Sequence, residues 1–168
     1  MKIAYLSLGS NLGDKGKNLA RAIRYINVEV GPVVELSGIY ETEPWGFESD
    51  STFLNMVIKI VSELTPLEMI DQCLEIETKM GRIRNSKEGY SSRMIDIDIL
   101  FYGNEVISEN RLILPHPHIQ NRRFILKPLC DIAPDYIHPV LGATISALLA
   151  KCSDTGIVTE LKTMFYLH

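Results

Sequence analysis

Apolar and polar residues alternate along four stretches of the chain, and this period of two predicts four β-strands. Successive side chains of a strand point to opposite faces, so the alternation leaves one face apolar for a core. The predicted strands cover residues 2–8, 33–41, 53–62 and 94–101. A further hairpin is predicted within residues 105–114, where two short apolar runs flank a polar stretch.

Spacings of three and four between apolar residues predict a helix after the first strand. The Gly-Ser-Asn turn at residues 9–11 separates the two elements and offers a helix cap, and the Gly-Pro pair at 31–32 ends the helix. Its predicted apolar face consists of Leu19, Ala22, Ile23, Ile26 and Val30.

The Thr-Pro-Leu-Glu segment at residues 65–68 predicts the start of a second helix. Thr65 can cap the helix, Pro66 suits the first helical position, and Glu68 completes a capping box. We expect this helix to continue to Met80, which a glycine follows. Its predicted buried stripe consists of Leu67, Ile70 and Leu74.

Two more helices are predicted near the C-terminus, at residues 121–130 and 144–152. Up to residue 101 the order is strand, helix, strand, strand, helix, strand, which is the order of the ferredoxin-like βαββαβ fold. We therefore predict an α+β protein with an antiparallel sheet, helices on one side and extra C-terminal helices. Because no linker or repeat interrupts the pattern, residues 1–168 are expected to form a single domain.

Charge and composition limit the classes of molecule that the protein is expected to bind. The 168 residues include 17 Lys and Arg against 21 Asp and Glu, for a formal net charge of -4. This leaves no basic excess for nucleic acid or anionic lipid, so neither is expected as a partner. No stretch approaches the ~20 apolar residues of a membrane span. Three cysteines without a CxxC pair predict neither a disulfide framework nor a zinc site, and the expected location is the cytoplasm.

Two carboxylates share one face of the strand at residues 94–101. Asp96 and Asp98 are two positions apart, so their Cα atoms are about 6.6 Å apart and their side chains can converge on a hard cation. Magnesium is commonly held in this way beside substrate phosphates. A solvated acidic edge strand is the other interpretation of the same pattern.

Cations flank this acidic pair on both sides in sequence. A loop-like segment before it carries Arg82, Arg84 and Arg93, and the segment LPHPHIQNRRF after it carries His116 and Arg122. Carboxylates that hold a metal, next to cations that neutralise phosphate oxygens, suit phosphoryl transfer. Solvated basic loops and ordinary loop histidines are the alternatives. The Walker, dinucleotide-binding and protein-kinase motifs are missing, so an ATP site here needs another architecture.

Aromatic and amide side chains suggest a second ligand. Phe53 and Asn55 share the polar face of the strand at 53–62, where a ring can stack on a flat heterocycle and an amide can bond its edge. The loop before this strand carries Trp45 and Phe47, which either line the same site or fold back onto the core.

Taken in order, these clusters resemble the 6-hydroxymethyl-7,8-dihydropterin pyrophosphokinases of folate biosynthesis. The resemblance covers nearly the whole chain and rests on ordered blocks, whose combination is far more specific than any one of them. The blocks are YLSLGSNLGD at 5–14, YETEPWG at 40–46, FLN at 53–55, E-x-x-x-GR at 77–82, R-x-IDIDIL at 93–100 and LPHPH-x-x-x-RRF at 114–124.

The resemblance implies transfer of pyrophosphate from ATP to the hydroxymethyl group of the pterin, with AMP released. It implies that Asp96 and Asp98 hold two magnesium ions and that Arg82 and Arg93 stabilise charge during transfer. The residues implied to contact the nucleotide are Glu77, Arg84, His116 and Arg122. The residues implied to contact the pterin are Thr42, Trp45, Gly46, Phe53, Asn55, Tyr90 and Phe124.

The loop before Arg93 departs from the usual pattern of the family. The family often has Arg-Trp-Gly-Pro-Arg, whereas this chain has Gly89-Tyr90-Ser91-Ser92-Arg93. Tyr90 is expected to replace the tryptophan that covers the pterin, in a loop at 85–92 that is mobile alone and closes over both ligands. We expect a monomer. The alternatives are a ferredoxin-like module that binds RNA or nucleotide without catalysis, and a nucleotide-binding regulator that has lost its chemistry.

Overall fold

The computed structural model describes residues 1–43, 51–81 and 93–162. The strands are β1 (Lys2–Ser10), β2 (Val33–Leu36), β3 (Ile39–Thr42), β4 (Phe53–Ser62), β5 (Asp96–Tyr102), β6 (Ile107–Glu109), β7 (Leu112–Leu114) and β8 (Val158–Leu161). The helices are α1 (Lys15–Glu29), α2 (Pro66–Lys79), α3 (Arg123–Ile132) and α4 (Ile145–Lys151), and a 3-10 turn covers Ile119–Asn121.

The main sheet has the antiparallel order β5-β1-β4-β3-β8, and β2 pairs with β4 beside β3. The central pair runs without a break from Lys2 opposite Ser62 to Ser10 opposite Leu54. With α1 and α2 as crossovers, this is the predicted ferredoxin-like arrangement, and the α+β prediction is confirmed. The β6–β7 hairpin lies within the predicted residues 105–114.

The predicted strand at 33–41 consists of two shorter strands, β2 and β3. Between them the Ser37 amide donates to the Val57 carbonyl oxygen over 2.9 Å, and the Ser37 hydroxyl accepts from the Val57 amide over 2.8 Å. The hydroxyl thus replaces a backbone carbonyl in the ladder, so pairing with β4 continues through the interruption. Strand β8, which the sequence did not predict, pairs with the outer edge of β3.

Helices α1 and α2 cover one face of the sheet and bury the larger core. Its fully buried residues include Leu6 and Leu8 of β1, Ile26 of α1, Ile58 of β4 and Ile76 of α2. The α1 cap is Asp14, whose carboxylate accepts from the Lys17 amide, and not the predicted turn at 9–11. The predicted capping box of α2 is present in full.

The buried stripe of α2 differs from the predicted one. Met69, Cys73 and Ile76 are fully buried, whereas Leu67 is exposed. Of the other two predicted positions, Ile70 is partly buried against the core, and both Ile70 and Leu74 line an open pocket.

Helices α3 and α4 lie on the opposite face of the sheet, over a second core that includes Tyr5, Val57 and Phe101. The β1–β5 register shifts at Leu100, because Tyr5 pairs with Phe101 and Leu6 pairs with Ile99. Phe101 therefore joins the second core. A strict period of two along the predicted strand at 94–101 places Phe101 on the same face as Ile99, and this prediction is wrong. Beyond this second core, toward Ser10, the same face of the sheet forms the floor of a cleft.

Candidate functional site

The floor of the cleft is made by side chains from three adjacent strands. Gly9 of β1 lies between Asn55 of β4 and Asp96 of β5, and two positions earlier Ser7 lies between Val57 and Asp98. Residues paired across antiparallel strands present their side chains on the same face. The strand register thus brings the predicted carboxamide and both predicted carboxylates to one surface.

A first pocket opens above this floor and encloses an empty volume of about 510 Å³, open solvent included. Thr42 of β3, Phe53 of β4 and Phe124 of α3 contribute its walls. Its full lining among the described residues is Ser7, Gly9, Thr42, Glu43, Phe53, Asn55, Arg93, Asp96, Asp98, Arg122 and Phe124. The structure therefore brings together the sequence-predicted residues of two types, those for a flat heterocycle and those for a metal.

The orientation of the Asn55 carboxamide is fixed by its neighbours. Its Nδ2 donates to the Thr42 hydroxyl over 2.7 Å, and both residues are buried. The Asn55 Oδ1 lies only 3.0 Å from the position that a Cβ on Gly9 would occupy. Because glycine has no side chain, the amide can lie flat against β1 in this orientation.

A second pocket lies on the other side of the two carboxylates. Its apolar wall is formed by Ile70 and Leu74 of α2, and its polar residues include Glu77, His116 and His118. Arg93, Asp96, Asp98 and Arg122 line both pockets, and we call these four residues the shared wall. As far as the described residues show, a group bound in one pocket can therefore meet a group bound in the other beside this wall.

The shared wall contains two carboxylates that are costly to keep ionised together. Asp98 retains some contact with solvent, but protein atoms surround its carboxyl group. This burial raises the pKa of Asp98 well above its usual range, and the charges of Asp96 and Glu77 raise it further, while Arg122 and Arg93 oppose the shift. Arg93 also pairs with Asp96 at 3.1 Å. A divalent cation would relieve this repulsion, so the donor set suits magnesium.

Among the described residues, no group of three or more His, Cys, Asp or Glu side chains could hold a metal ion. Asp96 and Asp98 are the two carboxylates of the shared wall. Magnesium is commonly bound by one or two carboxylates, with water and substrate phosphates completing the shell. A two-carboxylate site is therefore suited to a metal that arrives with a phosphate substrate.

Glu77 supports the strand that carries the aspartates. It is almost fully buried, and its Oε1 accepts a hydrogen bond from the Ile97 amide over 2.8 Å. Ile97 lies between the two aspartates on β5, so this bond anchors the backbone between them. Glu77 also lines the second pocket, where the sequence predicted a nucleotide contact.

His116 faces the second pocket as a neutral donor. Burial, followed by the charges of Arg122 and His118, lowers the pKa of His116 to about 4. Its Nδ1 accepts from the His118 amide over 3.2 Å, so the proton of the neutral ring belongs on Nε2. The His116 amide donates to the Leu100 carbonyl oxygen over 3.0 Å, which ties this segment to β5. Arg122 is buried nearby, with its guanidinium carbon 5.9 Å from the centre of the Phe124 ring.

Two floor residues, Ser7 and Gly9, were not predicted from the sequence as site residues. The signal was present, because Tyr5, Ser7 and Gly9 alternate with the buried Leu6 and Leu8 and so belong to the opposite face. What the sequence could not supply was the pairing with β4 and β5. Trp45, Gly46, Arg82, Arg84 and Tyr90, with the predicted closing loop at 85–92, lie outside the described residues.

Within the described part of the chain, no helix is both long enough and apolar enough to cross a bilayer.

Comparison with known proteins gives a consistent assignment. The family described as 7,8-dihydro-6-hydroxymethylpterin-pyrophosphokinase (HPPK) matches residues 5–134. The 2-amino-4-hydroxy-6-hydroxymethyldihydropteridine pyrophosphokinase of Methylorubrum extorquens is 43% identical over 158 residues, which are 94% of this chain and 98% of that protein. The protein of the same name from Porphyromonas gingivalis is 45% identical over 141 residues, or 83% of this chain and 95% of the relative.

A solved structure supports the fold. The crystal structure of an HPPK-DHPS in complex with substrates superposes with a TM-score of 0.75 at 19% sequence identity. The match covers 89% of this chain and 43% of that longer chain. With the family match over most of its length and relatives above 40% identity, the chain belongs to the 7,8-dihydro-6-hydroxymethylpterin-pyrophosphokinase family.

Proposed function

We propose that the chain transfers pyrophosphate from ATP to the hydroxymethyl group of 6-hydroxymethyl-7,8-dihydropterin in folate biosynthesis, giving AMP and the pterin diphosphate. Membership of the family supports this reaction. The observation that carries it is the pair of pockets that meet at the shared wall. A reaction between two bound substrates needs such a meeting point, because holding both in register removes the entropy cost of their encounter. A binding module without catalysis is not favoured.

The first pocket is proposed to hold the pterin. Phe53 and Phe124 are proposed to sandwich its rings, while Asn55 and Thr42, already bonded to each other, bond its polar edge. An amide of fixed orientation discriminates between donors and acceptors of a heterocycle, since a wrong partner leaves a buried polar group unpaired. Trp45, Gly46 and Tyr90 remain predicted pterin contacts.

The second pocket is proposed to hold the nucleotide. His116 would donate from Nε2 to a phosphate oxygen, and the buried Arg122 would add a charged donor. Glu77 and the predicted Arg84 complete the proposed nucleotide contacts. The apolar wall of Ile70 and Leu74 offers a surface for the base or sugar.

Asp96 and Asp98 are proposed to hold two magnesium ions. When bound, magnesium supplies neutralisation of the phosphate charge and fixes the geometry of the phosphate oxygens. The fit rests on two hard oxygen donors whose mutual repulsion a cation would relieve. The chemistry of these donors thus supports a dependence of the transfer on magnesium.

The proposed transfer is a single displacement. The hydroxymethyl oxygen of the pterin attacks the β-phosphorus of ATP, and its proton is released to water. The bond from the β-phosphorus to the oxygen bridging to the α-phosphate breaks, and AMP leaves with that oxygen. Arg93, placed at the shared wall beside Asp96, and the predicted Arg82 would stabilise the charge that develops on the phosphate oxygens.

Several expectations from the sequence stay proposals. We expect the protein to act as a single-domain monomer in the cytoplasm, with small-molecule substrates and no nucleic acid partner. The formal net charge of -4 supports the expectation of no nucleic acid partner, because a phosphate backbone attracts basic proteins.

Production of AMP tests the proposed function directly. Purified protein is incubated with ATP and the reduced pterin, with magnesium and with magnesium removed by a chelator. AMP and the pterin diphosphate are expected in equal amounts only when magnesium is present. Asp135→Asn, at an exposed site away from both pockets, serves as the matched control for Asp96→Asn. Absence of AMP from the wild-type protein, or equal activity of the two variants, would contradict the proposal.

A further inference from the structure

Two side chains at the start of α3 line the cleft. Arg122 is the N-cap residue of this helix and Phe124 is in its first turn, and both line the first pocket. An arginine side chain has only donors, so Arg122 cannot accept from the free amides at the start of the helix. The cap must come from elsewhere in the chain.

Asp154 supplies this cap from the segment that follows α4. Its Oδ2 accepts a hydrogen bond from the Arg123 amide over 3.0 Å, although the two residues are 31 positions apart. Its Oδ1 accepts from the Gly156 amide over 2.9 Å, which holds the carboxylate in place. A carboxylate at the N-terminus of a helix also complements the positive end of the helix dipole.

Asp154 does not occur among the described residues that line either pocket, so it acts on the cleft indirectly. Its bond to the Arg123 amide links it to the start of α3. It also lies beyond residues 5–134, which the family match covers. The part of the chain after residue 134 thus reaches the cleft indirectly, through the backbone of Arg123 and through the pairing of Val158 with Thr42.

We propose that Asp154 is a positioning residue: its carboxylate fixes the start of α3 and thereby sets Arg122 and Phe124 against the substrates. The inference rests on the proposed function. Arg122 has extended backbone angles of φ -123° and ψ 102°, and its guanidinium packs over the Phe124 ring. Any shift of the Arg123 amide therefore moves both neighbours together. Misplacement of binding groups by about 1 Å is enough to lower turnover strongly.

Three variants test the inference in the full-length protein. Asp154→Ala removes both acceptor oxygens. Asp154→Asn keeps one oxygen that can still accept from the Arg123 amide, gives up the acceptor for the Gly156 amide, and serves as the conservative variant. Thr144→Ala is the matched control, because the Thr144 hydroxyl caps α4 by accepting from the Ala147 amide over 3.1 Å. Thr144→Ala therefore removes a helix cap in the same part of the molecule and leaves the start of α3 unchanged.

The variants are expected to differ in pterin affinity and in kcat. Asp154→Ala is expected to weaken pterin binding and to lower kcat by about ten-fold each. Asp154→Asn and Thr144→Ala are expected to keep both constants within about two-fold of wild type, although Thr144→Ala lowers Tm. If Asp154→Ala does not fold, Asp154→Ser takes its place, with an expected loss of about three-fold because its shorter side chain reaches the amide poorly.

Hydrogen exchange of the Arg123 amide, followed by NMR without substrates, separates this inference from the proposed function. Exchange is expected to accelerate in Asp154→Ala and to stay near wild type in Asp154→Asn and Thr144→Ala. Accelerated exchange with unchanged kinetic constants would overturn the positioning role, and so would kinetic losses as large in Thr144→Ala. Unchanged exchange in Asp154→Ala would overturn the cap. A wild-type protein that makes no AMP would refute the proposed function, while the exchange data would still test the cap.

Discussion

The Nδ2 atom of Asn55 lies 2.7 Å from the Oγ1 atom of Thr42 and joins two neighbouring strands at the wall of the first pocket. The bond orients the amide before any ligand binds. It exists because Gly9, opposite Asn55 on the other neighbouring strand, leaves space for the carboxamide. Because the carboxamide is already oriented, it loses little conformational entropy when it bonds the edge of a ligand.

Replacement of Gly9 tests this preorganisation. The Cβ of Gly9→Ala would lie 3.0 Å from Asn55 Oδ1, so the carboxamide has to shift by a few tenths of an ångström. We expect pterin affinity to fall by about ten-fold, as for the loss of one good hydrogen bond to a buried group. Calorimetry should show ATP affinity within about two-fold of wild type, since Gly9 does not line the second pocket in the described chain.

Asn55→Ala and Phe53→Ala are the companion variants for the same pocket. Both are expected to weaken pterin binding far more than ATP binding, because one removes the contact to the edge of the heterocycle and the other the contact to its face. Equal losses for the two ligands would mean that these side chains serve the fold and not the pterin.

The carboxylates of the shared wall lead to a prediction that separates function from stability. Asp96→Asn and Asp98→Asn are expected to lower turnover by more than about 100-fold, because each removes a charged oxygen donor for the metal. Burial and the charges of Asp96 and Glu77 disfavour the ionised form of Asp98, and asparagine cannot ionise, so Asp98→Asn should melt no lower than wild type. More than about a tenth of wild-type activity, a loss under about 1.4 kcal/mol, would refute the metal assignment. A collapse of Tm would indicate a structural role instead.

Glu77 has two candidate roles, as an anchor of β5 and as a nucleotide contact. Glu77→Ala leaves the buried Ile97 amide without its acceptor and is expected to cost about 1 to 3 kcal/mol of unfolding free energy. Glu77→Gln keeps an acceptor oxygen and should cost under about 1 kcal/mol. Urea unfolding measures the loss of unfolding free energy in each variant. Glu75→Ala, at an exposed position of the same helix, is the control. If Glu77→Ala weakens ATP binding with no loss of stability, the nucleotide contact is the principal role.

Much of the fold follows from local sequence patterns. The bounds of β4 and the capping box of α2 were predicted correctly, because a period of two and a Thr-Pro-x-Glu start depend on neighbouring residues alone. The same period placed Asp96 and Asp98 on one face, which the structure confirms. Strand β8 was missed because its four residues lack a buried face, and only the exposed edge of β3 makes them a strand.

Features that depend on contacts between distant segments could not be predicted. The bulge at Leu100 depends on pairing with Tyr5 and Leu6, so Phe101 was assigned to the wrong face. The stripe of α2 was misassigned because an apolar residue can also be exposed, as Leu67 is, or line an open pocket, as Leu74 does. The capping of α3 by Asp154 carries no local signal, since the Arg123 amide lies 31 residues earlier.

Tyr90 gives a prediction based on the sequence alone. If its ring covers the bound pterin as the family's tryptophan is expected to do, Tyr90→Ala should lower both turnover and pterin affinity, while Tyr90→Trp should be nearly neutral. Steady-state kinetics and calorimetry on both variants measure this. A Tyr90→Ala variant with wild-type constants would show that the ring takes no part in the reaction.

The neutral state of His116 has a consequence for stability against pH. Its pKa is lowered to about 4 in the folded protein from the usual 6.5, first of all by burial. Between these values the unfolded chain binds a proton at His116 that the folded protein does not bind, so stability falls as the pH drops through this window. From pH 7 to pH 5 this one side chain should cost about 1 to 2 kcal/mol of unfolding free energy. His116→Gln removes the titration but keeps a donor, so urea unfolding should show a smaller loss on acidification than in wild type. NMR of the ring nitrogens at pH 6 should show the tautomer protonated at Nε2. An equal loss in both proteins, or a charged ring at pH 6, would contradict the assignment of His116 as a neutral donor to phosphate.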